Sequence, residues 1–240
     1  MRLIINFIKK VRRQHLVYGI AMFLFFGLVI GVMGLDYLDE IDLAAIPNQP
    51  NEMPTGKVSV VIYVPERMLE VYSDTQLYKK YRIAVGEGRT PTPVGEWKVV
   101  WKDYNWGTGF GTRWMGLNVP WGIYGIHGTN KPWSIGRFAS HGCIRMRNKD
   151  VEELFEWVPV GTEVKIVGRK VRVERKLKYQ MSGPDVATVQ IKLKELGYLS
   201  GRADGIFGQS TEAAVKAYQL DKGLAVNGIV DAEMTGQLGI

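Results

Sequence analysis

The first apolar feature of the chain is unbroken. Residues 16–35 (LVYGIAMFLFFGLVIGVMGL) run 20 positions without a charged side chain. As a helix this stretch reaches roughly 30 Å, the thickness of a bilayer's hydrocarbon core. From Lys57 the pattern changes to short β-branched runs. Residues 58–64 (VSVVIYV) stop at Pro65, and 68–72 (MLEVY) follow closely enough to be a hairpin partner. Residues 77–85 and 94–101 continue the pattern, separated by Gly and Pro punctuation, and the Gly-, Trp- and Ile-rich stretch 114–127 predicts further short strands. One helix interrupts them. Asn148 stands in capping position before KDVEELFEWV, which sets Val151, Leu154, Phe155 and Val158 on one face. A last strand falls at 163–167. Residues 57–168 therefore read as a mainly β domain with one inserted helix.

Beyond residue 183 the period becomes helical. Val186, Val189, Ile191, Leu193 and Leu196 mark one helix, ended by Gly197. Ser210-Thr211-Glu212 opens a second that runs through Ala213, Ala214, Val215 and Tyr218, and Asp231 caps a shorter third. The pieces Ala203-Asp204-Gly205-Ile206-Phe207-Gly208 and Val226-Asn227-Gly228-Ile229-Val230-Asp231 form a weak internal repeat: a turn dipeptide, an apolar pair, a helix start. Residues 184–240 thus read as a small all-α domain. The linker 169–183 begins with RKVRVERKLK, six basic side chains and one acid. It reads as a solvated connector, and its length leaves the two domains free to adopt many mutual orientations.

Charge changes the picture at the N-terminus. The chain of 240 residues carries a formal net charge of +7, distributed unevenly. Residues 1–15 hold five basic and no acidic side chains, while 36–56 hold five acidic and no basic ones. The positive-inside rule then places 1–15 in the cytoplasm, 16–35 across the membrane as a single-pass helix, and everything after it outside the cell. A cleaved signal would have a shorter apolar core and a small-x-small site, which Val32-Met33-Gly34-Leu35 does not supply. Residues 36–56, acidic and then Pro- and Asn-containing, read as a stalk. Nucleic acid is excluded as a partner by this location, and the oligomeric state is left open.

Candidate chemistry gathers in one place. Cys143 is the sole cysteine, so neither an intrachain disulfide nor a multi-cysteine zinc site can form. Two of the three histidines, His127 and His141, lie within the same 17-residue stretch, among Gly125, Gly128, Gly136 and Gly142. A thiol near an imidazole can pass its proton across to give a thiolate, and glycines free neighbouring amides to face a developing oxyanion. The alternative for Cys143 is a small buried hydrophobe. A zinc site built on His127, His141 and Cys143 lacks a fourth ligand, since Asp150 and Glu152 serve a helix start. No metal and no organic cofactor are expected.

The segment His127-Gly128-Thr129-Asn130-x-Pro132, followed by Ser140-x-Gly142-Cys143-Ile144-Arg145-Met146, resembles the signature of the L,D-transpeptidase (YkuD-type) catalytic domain. The similarity extends over about 57–168 and takes in Thr92-Pro93-Val94-Gly95 and Asn148-Lys149-Asp150-Val151. Residues 184–240 resemble the three-helix peptidoglycan-binding module through Leu196-Gly197-Tyr198, Asp204-Gly205-Ile206-Phe207-Gly208 and Thr211-Glu212-Ala213-Ala214-Val215. The resemblance implies a β-sandwich with Cys143 as nucleophile and His127 as base and acid, although His141 lies closer in sequence. It implies backbone N–H groups of His141, Gly142 and Cys143 at an oxyanion, and the Gly128 carbonyl as orienter of the base. It also implies Arg145 as a binder of a stem-peptide carboxylate. Trp121 and Tyr124, with Trp106, Trp114 and Trp133, are candidates for lining a glycopeptide groove. The implied partners are peptidoglycan stem peptides and glycan, with the membrane held by the N-terminal helix. The basic linker would then meet anionic wall polymer or lipid headgroups. The rival functions are an L,D-carboxypeptidase or endopeptidase using the same Cys-His site, and a catalytically silent wall-binding tether.

Overall fold

The computed structural model describes residues 52–240. The expected membrane helix at 16–35 and nearly all of the stalk lie outside the described residues, among which no helix is long and apolar enough to cross a membrane.

The hairpin expected at the start forms from β1 (Val58–Tyr63) and β2 (Met68–Ser73), extended by β3 (Gln76–Arg82). On its other edge β1 pairs in parallel with β10 (Glu163–Val167), Ile62 facing Ile166. The organising strand is β5 (Gly95–Tyr104). Its first half pairs with β10 and its second half with β6 (Arg113–Leu117), the register shifting between Val99 and Trp101. Such an irregularity bends a strand and raises its twist. The resemblance implied two facing sheets. Instead β5 carries one continuous sheet around the corner, in the order β3-β2-β1-β10-β5-β6-β7-β9, with β7 at Tyr124–His127 and β9 at Ile144–Arg145. A separate short ladder joins β4 (Val85–Gly86) to β8 (Phe138–Ser140).

The curl encloses a core of Val60, Ile62, Leu69, Val71, Trp97, Val164 and Ile166 with their neighbours. Helix α1 (Asn148–Trp157) closes it with the expected face, Val151, Leu154, Phe155 and the following Val158 all being buried. Each such side chain stabilises by about 1.5–3 kcal/mol. The expected cap is displaced by one residue. Arg147 occupies the N-cap position without a side-chain cap bond. Asn148 lies inside the first turn, its Oδ1 accepting the N–H of Thr129 at 3.0 Å.

The helical domain comprises α2 (Pro184–Glu195), α3 (Gln209–Asp221) and α4 (Ala232–Leu238). Val186, Val189 and Leu193 of α2 are buried, but Leu196 is 46% exposed and Ile191 turns to a cleft against the β domain. Asp231 caps α4 by accepting from the Met234 N–H at 3.1 Å. The internal repeat has a structural basis. Gln190 of α2 accepts from the Gly205 N–H and donates to the Ile206 carbonyl; Gln219 of α3 does the same for Gly228 and Ile229. Each helix thus offers one buried amide side chain that clamps the turn following it.

The two domains are docked, not loosely tethered. Glu96 of β5 donates its N–H to the Ala203 carbonyl at 2.9 Å, its carboxylate accepts from Lys194 at 2.7 Å, and its carbonyl accepts from Arg202 at 2.6 Å.

Candidate active site

The strand order brings the two halves of the motif together. The strands β7 and β9 run parallel, Ile126 facing Ile144 and His127 facing Arg145. Cys143, immediately before β9, therefore comes up beside Gly125, near the start of β7. The sulfur is 3.9 Å from the Ile123 carbonyl, to which the thiol donates. The turn that carries it is built by Ser140, whose Oγ accepts from the Gly142 N–H at 3.1 Å and donates to the Cys143 carbonyl at 2.5 Å. Gly142 has φ +111°, and a Cβ there would stand 2.7 Å from Cε1 of Tyr124. Only glycine allows both that backbone and the approach of the Tyr124 ring.

His127 is 2% exposed. Its ring stacks on Trp114, its cross-strand neighbour, at 5.4 Å and meets Phe110 edge-on at 5.0 Å. Its Nδ1 donates to the Gly128 carbonyl at 2.5 Å, leaving Nε2 as the acceptor in the neutral ring. That burial pushes the imidazole's pKa down to about 4, against the pull of the Gly128 carbonyl, with the charge of Arg145 lowering it further. Burial also pushes the Cys143 thiol up, partly offset by the Gly125 N–H and by Arg145. The resting state favoured by these surroundings is a neutral thiol and a neutral imidazole, not the thiolate–imidazolium pair expected from proximity. Desolvation acts against both charges.

The other candidates fall into distinct places. His141 is exposed on the turn. Gly142 spends its N–H on Ser140, so of the three amides expected at an oxyanion, those of His141 and Cys143 are the two without an acceptor among the described residues. Arg145 is half-buried, exchanges backbone hydrogen bonds with Ala84, and forms no ion pair among the described residues, although its charge bears on both His127 and Cys143. Tyr124 abuts the Cys143 turn. Trp121 sits edge-on to Trp97 at 5.3 Å and against Gly205 of the helical domain. Trp114 is core, Trp106 lies tilted against it with ring centroids 4.1 Å apart, and Trp133 is 67% exposed. Two contributors escape the sequence reading. Ser140 lies inside the motif, and a hydroxyl two residues before glycine is the signal that points to it. Asn148 reads as a cap, and only the fold reveals that it holds the loop after His127. No group of His, Cys, Asp and Glu suited to a metal ion occurs among the described residues.

A family model described as "L,D-transpeptidase catalytic domain" matches residues 57–166, and one described as "Putative peptidoglycan binding domain" matches 182–238. The Bacillus subtilis protein named "Putative L,D-transpeptidase YkuD" is 42% identical over 121 residues, covering 50% of this chain and 72% of that protein. Its Bacillus licheniformis counterpart is 47% identical over 107 residues, covering 45% of this chain and 64% of the relative. Among solved structures, the catalytic domain of the Enterococcus faecium L,D-transpeptidase is 26% identical, with a TM-score of 0.41, covering 46% of this chain and 96% of that one.

Proposed function

Because this chain belongs to the L,D-transpeptidase family, we propose that it is a membrane-anchored enzyme that transfers acyl groups between peptidoglycan stem peptides through Cys143. The observation that supports this reading is the parallel pairing of β7 with β9, which sets the strand that follows Cys143 beside the strand that ends in the buried, oriented His127. Since the resting pair is neutral, attack and proton transfer are coupled. As Sγ bonds to the carbonyl carbon of the third stem residue, its proton passes to His127. The amides of His141 and Cys143 receive the oxyanion. Collapse breaks the C–N bond to the terminal D-alanine, whose amine leaves with the proton from His127. An amine from a second stem then attacks the thioester, gives its proton to His127, and releases Cys143. Arg145, whose charge bears on both His127 and Cys143, serves as bidentate holder of a stem carboxylate. Residues 184–240 hold the glycan, and the charge-flanked segment 16–35 anchors the whole, N-terminus inside.

Mass spectrometry of tetrapeptide-bearing muropeptides incubated with the protein tests the chemistry. Cross-linked dimers are expected. Release of free tripeptide alone indicates the hydrolytic alternative, and a Cys143→Ala variant that retains either activity removes the nucleophile from this assignment. Resistance of the full chain to alkaline carbonate extraction from membranes tests the anchor.

A further inference from the structure

The loop 118–123, between β6 and β7, touches three parts of the molecule in six residues. Its first residue is pinned to β5: Asn118 Oδ1 accepts the Lys98 N–H at 2.6 Å, and the Asn118 N–H donates to the Lys98 carbonyl at 3.1 Å. Its middle meets the helical domain. The Trp121 ring lies between Trp97 and Gly205, so close that a Cβ on Gly205 would stand 2.4 Å from Cζ3. Its end meets the nucleophile, where the Ile123 carbonyl accepts from Cys143 and the next residue, Tyr124, packs on Gly142.

The surface under Trp121 is stiff. The turn bearing Gly205 is fixed by Gln190, which accepts the Gly205 N–H at 2.7 Å and donates to the Ile206 carbonyl at 2.9 Å. The same turn is anchored to β5 one residue from Trp97, through Glu96, Ala203 and Lys194. Only Gly122 separates Trp121 from Ile123, and a Cβ there would stand 2.8 Å from Cε2 of Tyr124, so the link has little room to absorb a shift of the indole before it reaches the cysteine.

We infer that Trp121 is a positioning residue: the docked helical domain, pressing on its ring, holds the 118–123 loop against Cys143, so that catalytic competence depends on the domain being seated. For turnover this rests on the proposed acyl transfer. For thiol reactivity it does not. Loss of the indole, or of its seat, lets water reach a thiol that burial keeps protonated, while loosening the turn that presents it. The two readouts therefore move in opposite directions, and they count for the inference in variants that keep a cooperative melt, because unfolding of the site would also expose the thiol and lower turnover.

The test uses the full chain in detergent, with alkylation of Cys143 by iodoacetamide followed by intact mass, and turnover on muropeptides. Trp121→Ala is expected to raise the alkylation rate at pH 7 at least about threefold. It is expected to lower kcat about tenfold or more with little change in KM. Trp121→Phe restores kcat to within a few-fold. Gly205→Ala and Glu96→Gln, which leave the loop sequence intact, shift both readouts in the direction of Trp121→Ala. Should Trp121→Ala lose its cooperative melt, those two variants decide. Wild-type alkylation rates and kcat in Gly205→Ala and Glu96→Gln overturn the inference. If the variants alter alkylation but the wild type turns over no muropeptide, the acyl-transfer reading fails and the coupling stands.

Discussion

At His127 a single side chain sets a pH dependence of both stability and activity. In the unfolded chain the imidazole titrates near 6.5; in the fold burial lowers this to about 4. Between these values the unfolded state binds a proton that the native state refuses. Stability is therefore fully present above pH 6.5 and falls as pH drops towards 4, by on the order of 3 kcal/mol in all. Urea unfolding across this window is expected to show that slope, and a His127→Gln variant to flatten it. The same shift keeps the proposed base neutral in mild acid, so the acid limb of kcat/KM is expected well below 6, where an unperturbed histidine would fail. Ser140 carries a second prediction at this scale. Its hydroxyl serves both the Gly142 N–H and the Cys143 carbonyl. Ser140→Ala strands both groups beside Cys143, at a cost of about 1–3 kcal/mol. A lower Tm is expected together with a fall in kcat larger than any change in KM.

Among the elements, local pattern and long-range pairing divide what the sequence reveals from what it hides. The runs that became β1, β2, β5 and β10 are legible because alternation and β-branching are properties of neighbours in the chain. The inward face of α1 is legible for the same reason. β8 and β9 span three and two residues, too short for any period. The β7–β9 pairing joins segments separated by an irregular loop, so the motif supplies the proposed reacting residues but not the ladder that aligns them. Ile191 fits the helical period of α2 yet faces the cleft beside β5 and β10, because the period does not say which neighbour a face will meet. Asn148 shows the same limit within one residue: its chemistry suits a cap, and the fold spends it on Thr129. The two roles make different predictions. A lost N-cap would erode α1, whereas loss of the Thr129 bond loosens the loop that begins at His127. Asn148→Ala is expected to leave the far-ultraviolet circular dichroism unchanged while lowering kcat several-fold.

For the whole molecule, the decisive feature is that a helical domain of marginal size is fastened to a larger β domain. A unit of roughly 60 residues buries too little surface to be robust alone. Its stability should then borrow from docking. Much of that docking converges on Glu96, where the carboxylate meets Lys194 at 2.7 Å and also accepts the Ala203 N–H at 3.3 Å. The ion pair is partly exposed, with side chains 39% and 21% accessible, and by itself contributes no more than about 1 kcal/mol. The amide bond and the packing of Trp121 on Gly205 add to it. Glu96→Ala removes the carboxylate from both contacts while leaving the backbone bonds in place. Calorimetry is therefore expected to show one transition for the wild type and two for the variant. The lower transition belongs to the helical domain, and the β-domain transition is nearly unmoved. A helical domain that melts at an unchanged temperature in the variant would mean that it stands on its own core, and that its seat on β5 has no energetic hold on the loop beside Cys143.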